Sequence, residues 1–227
     1  MSLRDRMILR GGPDRHIAWE VWDRDDDGLV ELHRQGVQVM RMLDVGAHIG
    51  AASLLAVDLW TDVQVAAFEP DAESFSTLVQ NAALCGGAVR AFPYGVAATT
   101  GRREFLAAVN SIWGASGCNR LYEGGPIPTN FRKVAVECVT LAGALDLAGW
   151  DSCDLLKMDC EGAELEILDG AVRDGSIDRV GRIAGEWHGL QAGARITDLL
   201  SPLFDVTYTF NTDHPNTLGL FRASRRT

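Results

Sequence analysis

Residues able to do chemistry fall in two places along the chain. The first is Asp44-Val45-Gly46-Ala47-His48-Ile49-Gly50, where an apolar run meets a turn and then a string of helix formers. The spacing is GxxxG rather than the GxGxxG of dinucleotide binders. Glycines there let the backbone turn sharply and approach a ligand closely. The helix start behind them offers free N–H groups and a partial positive charge, which suits a carboxylate as well as a phosphate. Glu69 follows Gly50 by 19 residues and ends a second apolar run. An acid at that position accepts ribose hydroxyls in nucleotide-binding folds. The plainer alternative is a tight turn with Glu69 capping the next helix.

The second place is the run Lys157-Met158-Asp159-Cys160-Glu161-Gly162-Ala163-Glu164. Asp159 ends a buried strand, at the carboxyl edge where α/β sheets bind ligands. Glu161 and Glu164 are three apart, which predicts a shared face at a helix start. Acids in a first turn also complement the helix dipole, and that alone accounts for Glu164. Leu165, Leu168 and Val172 are expected on the buried face of that helix. Further on, Glu186 and His188 end another strand and face the same edge. Removing a proton from an attacking hydroxyl is work histidine commonly does. Glu186 can orient His188, bind substrate hydroxyls or join a metal site. Asp159, Glu186 and His188 would suit a divalent ion, although their spacing does not require one.

Alternating elements must hold these residues. Residues 39–45, 63–68, 89–96, 154–158 and 180–187 read as buried strands, with Pro93 an irregular spot in the third. Residues 51–60, 71–84, 161–172 and 195–201 read as helices, the second with Asp71 and Glu73 at its start and Gly86-Gly87 after its end. This order predicts a mainly parallel sheet with helices on both faces. Residues 102–108 and 133–139 are extra strands inserted before the fourth core strand, joined by a long loop over 110–131. Residues 206–210 and 217–222 form a closing antiparallel hairpin around NTDHPN. The polar segment 1–36 reads as a helical or irregular N-terminal extension, and 37–227 as the main folded domain.

Composition excludes several classes. The chain has 227 residues, 47% hydrophobic and 23% charged, ordinary for one folded α/β unit. Its formal charge is -10, and no basic run exceeds two residues, so no phosphate-tracking stripe for nucleic acid is expected. Apolar stretches reach about half a membrane span. The N-terminus lacks a signal core. Five dispersed cysteines without CxxC fit reduced thiols. Together these predict a cytoplasmic protein with no nucleic-acid or membrane partner, and the acidity favours neutral or cationic substrates over polyanions. They leave the oligomeric state open, a homodimer included.

DVGAHIG, FEPDAESFSTLVQN and LLKMDCEGAELEIL, in that order and with these gaps, resemble the FkbM family of S-adenosylmethionine-dependent methyltransferases over residues 37–190. The resemblance implies a class I methyltransferase, Rossmann-like fold: a seven-stranded sheet, mainly parallel, with its last strand reversed. It implies O-methylation of a sugar or natural-product hydroxyl, as in antibiotic biosynthesis. Carried over, Asp44, Gly46, Ala47, His48 and Gly50 shape the methionine end of the cofactor pocket. Glu69 holds the ribose. Phe68, Pro70 and Val96, with Ala97, flank ribose and adenine. The family has asparagine where this chain has His48, which adds an expected titration near neutrality. Asp159 serves both cofactor and catalysis, with His188 the base, aided by Asp159 or Glu186. Glu161, Asn110, Ser111 and Trp113 are the expected substrate contacts, Tyr122 and Asn130 further ones.

Three other readings compete. N-methylation of an amino-bearing acceptor is the nearest. A nucleotide-binding protein without catalysis is opposed by the GxxxG spacing and by the retention of Asp44, Glu69 and Asp159. A calcium module rests on Asp23, Asp25, Asp27 and Gly28, which mimic an EF-hand start. Position 12 of that loop is Arg34, which repels calcium. A solvated acidic turn is expected instead, with Glu31 and His33 as candidates to approach the substrate pocket.

Overall fold

The computed structural model describes residues 2–109, 120–122, 124–210 and 218–226. The N-terminal segment holds α1 (Leu3–Arg6), α2 (Gly12–Trp19), a wider turn over Glu20–Arg24, and α3 (Leu29–Arg34). The core then alternates: β1 (Arg41–Val45), α4 (Ala51–Leu59), β2 (Gln64–Phe68), α5 (Ala72–Ala83), β3 (Val89–Phe92). Next come β4 (Gly95–Val96), β5 (Gly101–Ala108), β6 (Arg120–Leu121) and β7 (Phe131–Val139). The core resumes with α6 (Leu141–Ala148), β8 (Cys153–Met158), α7 (Glu164–Asp174), β9 (Val180–His188), α8 (Ala192–Leu200), β10 (Phe204–Tyr208) and β11 (Leu218–Arg225).

The main sheet has seven strands in the order β10-β11-β9-β8-β1-β2-β3. β3, β2, β1, β8 and β9 pair in parallel, whereas β11 is antiparallel to both β9 and β10. The closing hairpin therefore inserts its second strand beside β9. Its turn lies outside the described residues.

The strand period of two sorts the core into two layers. Leu43, Ala66, Leu156 and Ile183 are in register across four strands and pack under α6, α7 and α8. Met42, Val65, Leu155 and Ala184 point the other way, into a core shared with α4, α5 and the N-terminal segment. Both faces are covered, so these strands read as continuous apolar runs. In α7 the buried residues are Glu164, Ile167, Leu168, Gly170 and Ala171, while Leu165 and Val172 are half-buried at its edge. The buried face is thus rotated from the expected one.

The third strand departs from the single run 89–96. After β3 the chain turns at Pro93, which has no N–H to give a ladder, and Tyr94 N–H donates back to the Phe92 carbonyl. Gly95–Val96 then joins a second, four-stranded sheet, β4-β7-β5-β6. β5 and β7 run antiparallel over eight pairs, from Gly101–Cys138 to Ala108–Phe131. This small sheet brings Phe105 and Leu121 to the mouth of the site.

Candidate active site

The carboxyl ends of β1, β2, β8 and β9 open into one cavity of about 670 Å³, in the usual range for small-molecule sites. β1 ends at Val45 and the chain folds under it. Gly46 and Ala47 N–H both donate to the Phe68 carbonyl, and Asp159 N–H donates to the Val45 carbonyl. Three strand tips are thereby stitched together. Gly46 has φ +77°, and a Cβ there would sit 1.8 Å from the Asp159 carbonyl oxygen. Only glycine permits that approach.

Gly46, Ala47, His48, Phe68, Glu69, Pro70 and Val96 all line the cavity. Asp44, Gly50 and Ala97 stand behind its wall. Asp44 is fully buried, accepting the Ser53 hydroxyl at 2.6 Å and lying 3.4 Å from the Lys157 ammonium. Gly50 starts α4 at φ +90°.

Glu69 accepts His48 N–H through Oε2 at 2.9 Å and Asp71 N–H through Oε1 at 2.7 Å. Burial raises its pKa to about 7, against the lowering effect of the Asp71 N–H. Each oxygen accepts one of these donors and has capacity for a second, the chemistry needed for a pair of hydroxyls.

His48 corrects an expectation. Its Nε2 lies 2.8 Å from Arg10 Nη2. A guanidinium only donates, so Nε2 accepts and the ring is neutral. Burial, then the Arg10 charge, lower its pKa to about 4. The expected titration near neutrality is therefore absent. Arg10 also grips Asp14 at 2.9 Å and Ser74 at 3.2 Å, tying the N-terminal segment to the glycine loop.

That segment supplies the other wall. Pro13, Ile17, Glu20, Arg24, Asp26 and Asp27 line the cavity. Glu31 and His33 do not; His33 packs edge-on against Trp60. The EF-hand mimic is resolved differently from a solvated turn. Asp25 caps α3, accepting Val30 and Glu31 N–H. Asp27 is buried 3.9 Å from Lys157. Burial brings its pKa to about 7 despite that cation.

At the β8 and β9 tips stand Asp159, Glu161, Glu186 and His188, all on the cavity wall. Glu161 precedes α7, at φ +55°, so it does not share a helix face with Glu164. Glu164 is fully buried and reaches back to Cys160 and Gly162 N–H and to His188 Nδ1 at 3.0 Å. Its place in a first helical turn did not reveal this contact with His188. His188 Nε2 lies 3.5 Å from Glu186 and 3.6 Å from Glu161.

Burial lowers the His188 pKa, but the hydrogen bond and charge of Glu164, with Asp159 and Glu161, outweigh it and bring the ring to about 10. These acids favour the charged ring, so the role of base expected of it requires their charge to be offset. Burial, then the Asp159 charge, raise Glu161 to about 8 and Glu186 to about 9.

Asn110, Ser111 and Trp113 lie outside the described residues. Tyr122 and Asn130 are described but do not line the cavity; the Tyr122 hydroxyl donates to the Gly125 carbonyl. Lys157 was quoted only within its run, and Arg10, Glu20 and Asp26 were not singled out from sequence; Asp27 entered only through the EF-hand mimic. A lone lysine inside an apolar strand was a usable signal for the first. The scattered charges of the N-terminal segment offered none for the others.

A methyltransferase FkbM domain profile matches residues 44–210. The chain belongs to the FkbM methyltransferase family. The family implies S-adenosylmethionine as methyl donor, and the glycine loop, the acceptor capacity of Glu69 and the cavity fit that group. Solved structures similar to this FkbM chain share its class I methyltransferase fold. A candidate O-methyltransferase from Klebsiella pneumoniae aligns over 96% of this chain and 93% of its own at 16% identity and TM-score 0.55. The METTL16 methyltransferase domain covers 96% and 71% at 15% identity and TM-score 0.53. Human methyltransferase 10 domain containing protein covers 89% and 80% at 13% identity and TM-score 0.51. A search of curated protein sequences found no match. Among the described residues no helix is long and apolar enough to cross a membrane.

Proposed function

We propose that this FkbM-family chain is an O-methyltransferase acting on a hydroxyl of a small polar acceptor, a sugar or natural-product scaffold. One observation carries the reading: a single cavity joins the glycine loop and Glu69 to Asp159, Glu161, Glu186 and His188. S-adenosylmethionine supplies a methyl group already activated on a sulfonium. Glu69 accepts the ribose hydroxyls, Phe68 and Val96 flank the adenosine, and Gly46 to His48 border the methionine end. Residues 1–36 act as a roof that excludes water, and 37–227 form the catalytic domain.

Positioning supplies much of the rate, because the acceptor has only to be held in line with the methyl group. The acids at the β8 and β9 tips hold acceptor hydroxyls, with Asp159 placed to receive the proton. His188, held by Glu164, orients them.

A second reading, N-methylation of an amino-bearing acceptor, is favoured by the acidic lining. Glu20, Asp26 and Asp27 face Asp159, Glu161 and Glu186 across the cavity. Calorimetry with S-adenosylmethionine and with NAD, on the wild type and Glu69→Ala, tests the cofactor. A screen of hydroxylated and amino-bearing acceptors then separates the two reactions. Binding of NAD rather than S-adenosylmethionine would sink both.

A further inference from the structure

We propose that Asp159, Glu161 and His188 bind one divalent metal ion of the manganese or magnesium class at the acceptor end of the cavity. One ligand atom from each residue lies within 4.8 Å of the other two. Two carboxylates and one imidazole are a suitable donor set for such an ion. His188 ends β9, while Asp159 and Glu161 lie in the short connection between β8 and α7.

The histidine is held as a ligand would be. Metal-binding histidines use one ring nitrogen for the ion and donate the other N–H to a carboxylate. His188 Nδ1 is 3.0 Å from Glu164 Oε1. Glu164 is fully buried and itself held by two backbone N–H groups. Nε2 is therefore the nitrogen turned toward Glu161, and the ion would take the place of the proton that the surrounding acids otherwise hold on it.

A separate observation points to a missing cation. Asp159 Oδ1 is shut off from solvent and has no hydrogen-bond partner. A buried carboxylate oxygen without a partner is costly, and an adjacent cation removes that cost. The Lys157 ammonium forms its ion pairs with Asp27 and Asp44, at 3.9 and 3.4 Å, and makes no hydrogen bond to Asp159 Oδ1. Among the described residues no other group of three such side chains converges in this way.

The ion would neutralise the acids that crowd this end of the cavity and leave a face open to an acceptor oxygen. Its use in catalysis rests on the methyltransferase reading; its binding does not.

The test is titration of the full-length protein with Mn²⁺, without S-adenosylmethionine, followed by electron paramagnetic resonance and calorimetry near neutral pH. Saturable one-to-one binding is expected, with Mg²⁺ competing. Glu161→Gln and His188→Gln should each weaken it about tenfold or more, and Glu164→Gln by roughly 10–100-fold. Asp205→Asn, in an exposed pair with Arg226 at the sheet edge, should leave it unchanged. Circular dichroism reports whether each variant is folded. The wild-type titration decides the matter alone if a variant is not. No saturation by about 1 mM Mn²⁺, the weak end of protein sites, would overturn the proposal. So would wild-type affinity in both folded Glu161→Gln and His188→Gln. S-adenosylmethionine binding measured on the same samples keeps the two ideas apart. If it binds and Mn²⁺ does not, the ion falls and methyl transfer stands.

Discussion

Lys157 and Asp44 face each other at 3.4 Å beneath the glycine loop, one from each of two adjacent strands. Both are buried, and Asp27 of the N-terminal segment approaches the same ammonium at 3.9 Å. Burial lowers the lysine pKa, but the two carboxylates more than offset that and raise it. The cation thus links the sheet to the segment that roofs the site. Lys157→Met should destabilise the fold by about 3–5 kcal/mol, because it strands two buried carboxylates. Adding Asp27→Asn should recover part of the loss. Urea unfolding of the single and double variants measures both. Equal stability of Lys157→Met and wild type would show that the three charges are not coupled.

Gly46→Ala is expected to abolish cofactor binding. The backbone conformation alone costs roughly 1–3 kcal/mol for a residue with a Cβ. The Cβ would also overlap the Asp159 carbonyl, which has little room to move because its own N–H is bonded to Val45. Calorimetry with S-adenosylmethionine and a thermal melt check this. Retained affinity would mean that the two loops can part.

Glu69 sets a pH dependence whose sign is fixed by its two backbone donors. Ionised, the carboxylate accepts through both oxygens. Protonated, one oxygen becomes a donor and must give up an N–H or a ligand hydroxyl. Its pKa of about 7 in the fold places the change there. Affinity for S-adenosylmethionine should rise as pH increases through about 7 and level off above it. Below, it should fall by at most ~tenfold per pH unit. Glu69→Ala should bind weakly at every pH, with a flat profile.

His48 should add no step of its own between pH 5 and 8, since Arg10 and burial hold its pKa near about 4. Arg10→Met removes the nearer cation but leaves Asp14, so the His48 pKa should rise. Nuclear magnetic resonance of the ring protons follows it directly. An unchanged titration in Arg10→Met would show that burial alone holds the ring neutral.

Much of the scaffold was legible because strands covered on both faces must be apolar throughout, as in VQVAAF and DLLKM. Glu69 was legible because its place at a strand tip is set by local order. The chemistry of His188 was not. Its identity suggested a base, but its state depends on Glu164, 24 residues away, and on Asp159 and Glu161 across the strand tips. The same holds for His48 and Arg10, which are 38 residues apart. Burial and charge neighbours come from tertiary contacts that periodicity does not encode. The sheet switch after β3 was half legible: Pro93 marked the place but not the second sheet.

The floor of the cavity belongs to the sheet, while much of its ceiling belongs to the first 27 residues, pinned through Arg10 and Asp27. A ligand there is enclosed from two sides that lie far apart in sequence, so a change in the first 27 residues can alter the cavity without touching the sheet.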